Sequence, residues 1–396
     1  MHSRIYFDHS ATTPVDPRVL EAMAPFLGGA YGNPSSLHHE GRVAREAVET
    51  ARAQVAALIG AEPDEIIFTG SGTEADNLAL IGAVRATGKP GQVVTSSIEH
   101  AAILETCRFL ASTGTKITYL PVDHDGVVGP DGLLRALQSN VTIVSVMAAN
   151  NVVGTLQPIE ELAHLTKLNG VLFHTDAVQA GGKISLDVDQ LHVDLLSLSA
   201  HKLHGPKGVG ALYVRKGVNL SPIVFGGGQE RGVRSATENV ASIVGFGAAA
   251  AIAKSELAEE AIRLARFRDR IASELARKLP HLYVFGHPVE RLPGHFSFGL
   301  RGSETEVGKL LVVLDQAGIA ASAGSACNAN HAEEPSGVLL AMGYDAERAR
   351  GLIRVSLGRF STDQEVDRFL EILVSTITRL NAEKGTVADV QEPACA

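Results

Sequence analysis

Three cysteines in 396 residues cannot build a disulfide framework, and their odd number fits a reducing compartment. Long apolar runs are missing too: nothing approaches the ~18–20 residues that span a bilayer. The N-terminal MHSRIYFDHSATTP lacks the apolar core of a signal peptide. Basic residues are in deficit, 35 against 44 acidic ones, and the charge of −9 argues against a general binder of nucleic acid or anionic membrane. Metal signatures are absent: 15 histidines include no H-E-x-x-H, and no two cysteines form C-x-x-C. Repeats and low-complexity tracts are absent as well. The expectation is a cytoplasmic α/β protein, without a disordered acidic chain's poverty in apolar residues. At ~100–200 residues per domain its length fits about two domains or one large one.

What is present is glycine, 40 residues of it, and an alternation of helical and strand-like segments. Residues 40–59 place Val43, Ala47, Val48, Ala51, Val55 and Leu58 on one helical face. Apolar runs at 65–68, 92–96, 116–120, 141–147, 171–175, 193–198 and 209–214 read as strands. Helical stretches at 100–112, 131–138 and 158–168 separate several of them. Apolar strands between helices predict a mostly parallel sheet buried on both faces. After about residue 240 the texture changes. A charged helical stretch, 248–279, leads to strands at 282–285, 295–300 and 352–357 and helices at 305–317 and 362–381, the last opened by the capping box Thr362 to Glu365. This predicts a smaller α+β domain joined by a long helix. The tail from Glu383 has no periodicity.

Four constellations carry chemistry. Ser199-Ala-His201-Lys202-Leu-His204-Gly205 follows a strand, where α/β folds bind ligands, and Lys202 suits a Schiff-base lysine. The bland reading is a solvated surface loop. Asp176, 26 residues earlier at another strand end, could pair with a protonated ring nitrogen; its bland reading is a helix N-cap. Asp and Lys so placed is the arrangement expected for pyridoxal phosphate (PLP). Gly70-Ser71-Gly72-Thr73-Glu74-Ala75, between strand and helix, offers backbone N–H groups for a phosphate. It also matches the dinucleotide fingerprint, with Glu99 roughly where a ribose-binding acid would fall. A nicotinamide or flavin enzyme is therefore an alternative on this motif, but it leaves Asp176 and Lys202 unexplained. Last, Ala321 to His331 is a small-residue loop with Cys327 in its middle, which favours a reactive thiol over a core residue. Cys107 reads as core and Cys395 as tail.

Taken in order, the motifs resemble the cysteine desulfurases of the class V aminotransferase-like PLP enzymes, in the branch serving nitrogenase and housekeeping iron–sulfur assembly. They are Tyr6 to Pro14 (YFDHSATTP), Gly32 to His38, Phe68 to Asn77, Glu99-His100, Asn150-Asn151, Asp176 to Gln179, Ser199 to Lys202, Arg234 to Asn239, Gly324 to Cys327, and Ile353 to Phe360. The similarity runs from Tyr6 to about Leu380. Val152 stands where Glu is common in the family, and the long loop through Glu333-Glu334-Pro335 matches the long-loop branch.

The resemblance implies an aspartate-aminotransferase-like fold, with a large domain over 15–256 and a small domain from 1–14 and 257–396. It implies that Lys202 bonds PLP and shuttles a proton, Asp176 pairs with the pyridine nitrogen, and Gln179 bonds the phenolate oxygen. His100 would stack on the ring and act in acid–base steps. Gly72, Thr73, Ser199 and His201 would hold the phosphate, with Thr237 reaching in from a partner subunit. Arg354 and Asn151 would hold the substrate carboxylate, and the Cys327 thiolate would take sulfur from L-cysteine, leaving alanine. A homodimer, a transient sulfur acceptor or iron–sulfur scaffold, and no resident metal complete the picture, although Cys327 could touch a cluster in passing. An aminotransferase, a selenocysteine lyase, and a sulfur-assembly scaffold without catalysis are the neighbouring readings.

Overall fold

The computed structural model describes residues 4–89, 91–137, 140–324 and 334–388; Cys327 and Cys395 lie outside the described residues. The described chain divides into two units. One comprises Thr12–Ala261 with Gly286–Leu292, the other residues up to Ala11, Ile262–Phe285 and the chain from Pro293 onward. The stretch 286–292, expected in the small domain, groups with the large unit because it pairs with the loop after Asn150. Thr155 and Arg291 form an antiparallel bridge, and Leu292 donates to the Gly154 carbonyl.

The large unit is built on a seven-stranded sheet. In spatial order its strands are Ile66–Thr69, Gly210–Val214, Leu195–Ser199, Leu172–Asp176, Val141–Ser145, Gln92–Ser96 and Lys116–Leu120. Gly210–Val214 runs antiparallel to both neighbours, and the other pairs are parallel. Ile66–Thr69, Gln92–Ser96 and Leu195–Ser199 are buried at every residue, as strands are when helices cover both faces of a sheet. Gly210 tolerates no side chain. A Cβ there would sit 2.4 Å from the Ser71 carbonyl carbon, so glycine lets this strand lie against the Gly70–Gly72 turn.

The helix Val240–Lys278 is long and apolar enough, by length and composition, to cross a membrane. That corrects the expectation that no stretch approaches a membrane-spanning length, and the charged helix expected from 248 starts earlier, at Val240. Its first turns are instead core: Ile243, Phe246, Ala249, Ala250 and Ala253 pack with Val48, Ala51 and Val55 of the helix His39–Leu58.

The smaller unit pairs Leu282–Phe285, His295–Leu300 and Ile353–Ser356 in an antiparallel sheet, and Ile5–Tyr6 with Ile319–Ala320 in parallel. The helix from Asp363 is opened by the expected box. Glu365 N–H donates to Thr362 Oγ1, and Thr362 N–H donates to Glu365 Oε2. Helices Pro17–Leu27, Gly337–Ala341 and Ala346–Arg350 carry no strong sequence signal; two of them are five residues long.

Candidate active site

Lys202 ends a single 3₁₀ turn, Ala200–Lys202, that directly follows the strand Leu195–Ser199. This turn is pinned from the N-terminal side. Thr13 Oγ1 donates to the His201 carbonyl at 3.0 Å and accepts from His204 N–H at 2.9 Å, while Thr13 N–H donates to the same carbonyl. Thr12 Oγ1 sits 3.0 Å from His201 Nδ1. Burial first, then the charge of Lys202, pulls the His201 pKa down to about 4, so this ring is neutral at neutral pH. A Cβ on Gly205 would come within 2.9 Å of the Ala200 carbonyl oxygen, so the turn closes only with glycine there.

Asp176 ends the neighbouring parallel strand and is in register with Ser197. Its Oδ1 accepts Val178 N–H at 2.9 Å in a turn, not at a helix start, which corrects the N-cap reading. Burial pushes its pKa up, and His100, the Val178 N–H and Lys202 pull it back down. Gln179 is buried in the same turn, and Lys183 Nζ donates to its Oε1.

His100 caps the helix Ala101–Ser112. Its Nδ1 accepts Ala102 N–H at 3.1 Å, so the neutral ring carries its proton on Nε2. Asn150 shapes the approach to Asn151. Asn150 Oδ1 accepts Val152 and Val153 N–H, and its Nδ2 donates to the Ile98 carbonyl, just before His100. Val152 is buried in this turn.

Gly72 opens the helix Gly72–Ala86, with Ser71 Oγ accepting Glu74 N–H as cap. A Cβ on Gly72 would lie 2.7 Å from Val178 Cγ2 and 3.2 Å from Ser199 Cβ. The bare helix N-terminus therefore sits against Ser199 and the turn after Asp176. Glu74, the anion nearest this N-terminus, is tied up by Gly70 N–H and Arg234. Glu99 is not a ribose ligand. It is buried and accepts from Ser96 Oγ and Met147 N–H, so the dinucleotide reading loses its acidic residue.

Three observations test the fit to PLP. A buried carboxyl at a strand end has cationic groups within electrostatic reach. The lysine stands at the adjacent strand end. A glycine-lined helix N-terminus, the place for a phosphate, abuts Ser199. The residues fit.

A profile of the family described as aminotransferase class-V matches residues 5–369. The chain belongs to this family. It is 46% identical over 381 residues to the cysteine desulfurase IscS of Dictyoglomus turgidum, covering 96% of each chain. A solved structure of a NifS-like protein superposes with a TM-score of 0.88 at 40% identity, covering 95% of this chain and 99% of that one. The structure titled SspA in complex with cysteine superposes with a TM-score of 0.79 at 35% identity, covering 90% and 100%. Within the class-V family the chain thus falls among the PLP-dependent cysteine desulfurases.

Thr237 and Arg354 complete the set of expected site residues. Thr237 is exposed at the surface of the large unit. Arg354 belongs to the smaller unit, where it is 1% exposed and its Nη2 donates to Asp8 Oδ1 at 2.7 Å. Asp8, Thr12 and Thr13 stand in the YFDHSATTP motif, and nothing in its pattern assigns them a role. The structure shows that they brace Arg354 and Lys202. The signal was there as a fixed string of hydroxyl and acidic residues.

Proposed function

We propose that the chain removes sulfur from L-cysteine, releasing L-alanine and leaving a persulfide on Cys327 that passes to a sulfur acceptor or iron–sulfur scaffold. The observation that supports it most is the triple convergence of Lys202, Asp176 and the Gly72 N-terminus. Bound at this convergence, PLP supplies an electron sink that weakens the substrate C–S bond.

The chain's own groups do the rest. The Lys202 amine holds the cofactor aldehyde and, once released, carries a proton between the substrate carbon and solvent. Asp176 holds the pyridine nitrogen proton, so the ring keeps its withdrawing charge. His100 offers Nε2–H to a face of the site. Gly72, Thr73, Ser199 and His201 hold the phosphate, and Gln179 the phenolate oxygen. Arg354, with Asn151, binds the substrate carboxylate in the fork geometry that only a guanidinium provides.

Sulfur then moves from carbon to thiolate: the Cys327 thiolate forms an S–S bond as the substrate C–S bond breaks. Cys107 is unsuited to that step, because burial raises its thiol pKa to about 12. The same reading includes a homodimer whose partner's copy of exposed Thr237 completes the phosphate site, and a cytoplasmic location.

Mass spectrometry after incubation with cysteine tests it. One sulfur, ~32 Da, should appear on the peptide holding Cys327. Cys327→Ala should keep the PLP absorbance and stop sulfur release. Undiminished sulfur transfer by that variant would sink the reading.

A further inference from the structure

Behind Asp176 lies a buried polar chain that the reaction as described does not use. Asp76 sits one turn into the helix whose N-terminus faces Ser199, and its side chain is 1% exposed. Ser197, in register with Asp176, hydrogen-bonds the Asp76 carboxyl. Ser197 Oγ is 2.9 Å from His174 Nε2, and His174 Nδ1 is 2.8 Å from Ser145 Oγ. His174 and Asp176, two residues apart on one strand, share a sheet face. The other Asp76 oxygen, Oδ1, has no hydrogen-bond partner and lies 3.7 Å from His174 Nε2.

A bare carboxylate oxygen so placed would be a buried charge with nothing to satisfy it; the carbonyl oxygen of a neutral acid there costs far less. His174 supplies no compensating cation, because burial drops its pKa to about 3. Asp76 also faces two further carboxyls, Asp176 and Glu99; burial first, then the Asp176 charge, raises its pKa, and this outweighs the lowering by the Ser197 hydrogen bond. Asp176, by contrast, has Lys202 and His100 to favour its anion. Two buried like charges cannot both ionise cheaply.

We propose that Asp76 is a positioning residue, held as a neutral acid that donates through Ser197 to neutral His174 and on to Ser145, so that the single negative charge of the Asp76–Asp176 pair stays on Asp176, where the pyridine nitrogen docks. In this orientation the Asp76 O–H donates to Ser197 Oγ, Ser197 O–H to His174 Nε2, and His174 Nδ1–H to Ser145 Oγ. Each link of the chain then pairs one donor with one acceptor, and the Ser145 hydroxyl ends it. The role of Asp176 rests on the proposed function; the protonation of Asp76 does not, and it is readable without cofactor.

Infrared difference spectroscopy of the apoprotein at neutral pH is the test. Wild type minus Asp76→Asn should show the C=O stretch of a protonated carboxyl. That band should titrate at a pH lower by about one unit or more in Asp176→Asn, because the neighbouring charge is gone. A merely structural Asp76 would not respond to Asp176. Absence of the band, or an unmoved midpoint, overturns the proposal. In parallel, Asp76→Asn should bind PLP within about threefold of wild type, since the amide keeps the size and neutrality of the acid. A loss of tenfold or more in a variant with native circular dichroism and thermal melt would also overturn it. If instead PLP binds neither protein while the band is present and coupled, the functional reading fails and this one stands.

Discussion

Two sites, one in each unit, handle buried charge in opposite ways, although the large unit elsewhere buries a paired cation of its own, Arg52 with Glu230. In the large unit the carboxyls of Asp76, Glu99 and Asp176 are all buried, and burial raises the pKa of each. Around Asp176 the charge count is kept low by holding neighbouring acids and imidazoles neutral. The smaller unit buries Arg354, a group that stays charged in proteins, and gives it an explicit counter-ion, Asp8. The difference fits the roles proposed for the two sites. A site that receives a cofactor with its own charges needs one anion in the right place. A site that grips a carboxylate needs a permanent cation already desolvated and braced.

Removing the group proposed to bond the cofactor should break the large unit's side of this contrast most severely. Lys202→Ala should lose the visible absorbance of the lysine-bound cofactor. Alanine formation from cysteine should fall by about 10³-fold, the scale of a lost positioned proton carrier. A spectrum and rate near wild type would show that the strand-end lysine is not the attachment point.

The smaller unit should answer differently. Arg354→Ala leaves Asp8 without its partner and the substrate carboxylate without its fork, so KM for cysteine should rise by about 10²-fold. The cofactor absorbance should be unchanged. Arg354→Lys should recover only part of the loss, since an ammonium cannot bind bidentately. A variant with normal KM but weakened cofactor binding would erase the contrast between the units.

A third effect is on stability. Glu99 keeps its proton in the folded state up to about pH 8, whereas the ordinary value for an exposed Glu is 4.5. Between those values the folded state binds more protons than the unfolded one. The contribution of Glu99 is therefore fully present below pH 4.5 and drains away as pH rises through 8. His201 and His174, lowered to about 4 and about 3 from 6.5, act in reverse. Their contribution is present above pH 6.5 and is lost as pH falls. Glu99→Gln should remove the alkaline loss alone. Relative to wild type it should gain on the order of 4 kcal/mol between pH 5 and pH 8.5. Denaturant titrations at several pH values check this, and parallel wild-type and variant profiles would contradict it.

The sheet was legible because its strands are short runs rich in apolar and β-branched residues: 92–96 and 116–120 match Gln92–Ser96 and Lys116–Leu120 end for end. Strand ends near the site shift by a residue or two, as Leu172–Asp176 and Leu195–Ser199 show, because the chemistry-bearing Asp176 and Ser199 extend the ladder. Lys202, Asp176 and Gly72 were legible as types at strand and helix ends. The groups behind them were not. His174, Ser197 and Asp76 look in sequence like ordinary polar residues in apolar segments, and only register brings them together. Asp8 and Arg354 are 346 residues apart, a pairing no local pattern carries.

The smallest effect expected probes the brace on the lysine turn. Thr13 Oγ1 is both donor and acceptor there, to the His201 carbonyl and from His204 N–H. Thr13→Val keeps the shape but removes both bonds, stranding a buried amide, since His204 is only 7% exposed. One net hydrogen bond is worth about 1 kcal/mol, and an orphaned partner adds to that. Thr13→Ser keeps the hydroxyl and should cost less. The loss should fall on the turn, so hydrogen exchange at the His204 amide should accelerate in Thr13→Val while amides of the strand His295–Leu300 in the smaller unit stay protected. Equal acceleration in both units would mean that the brace acts on global folding, and that Thr13 does not belong to the lysine turn's own support.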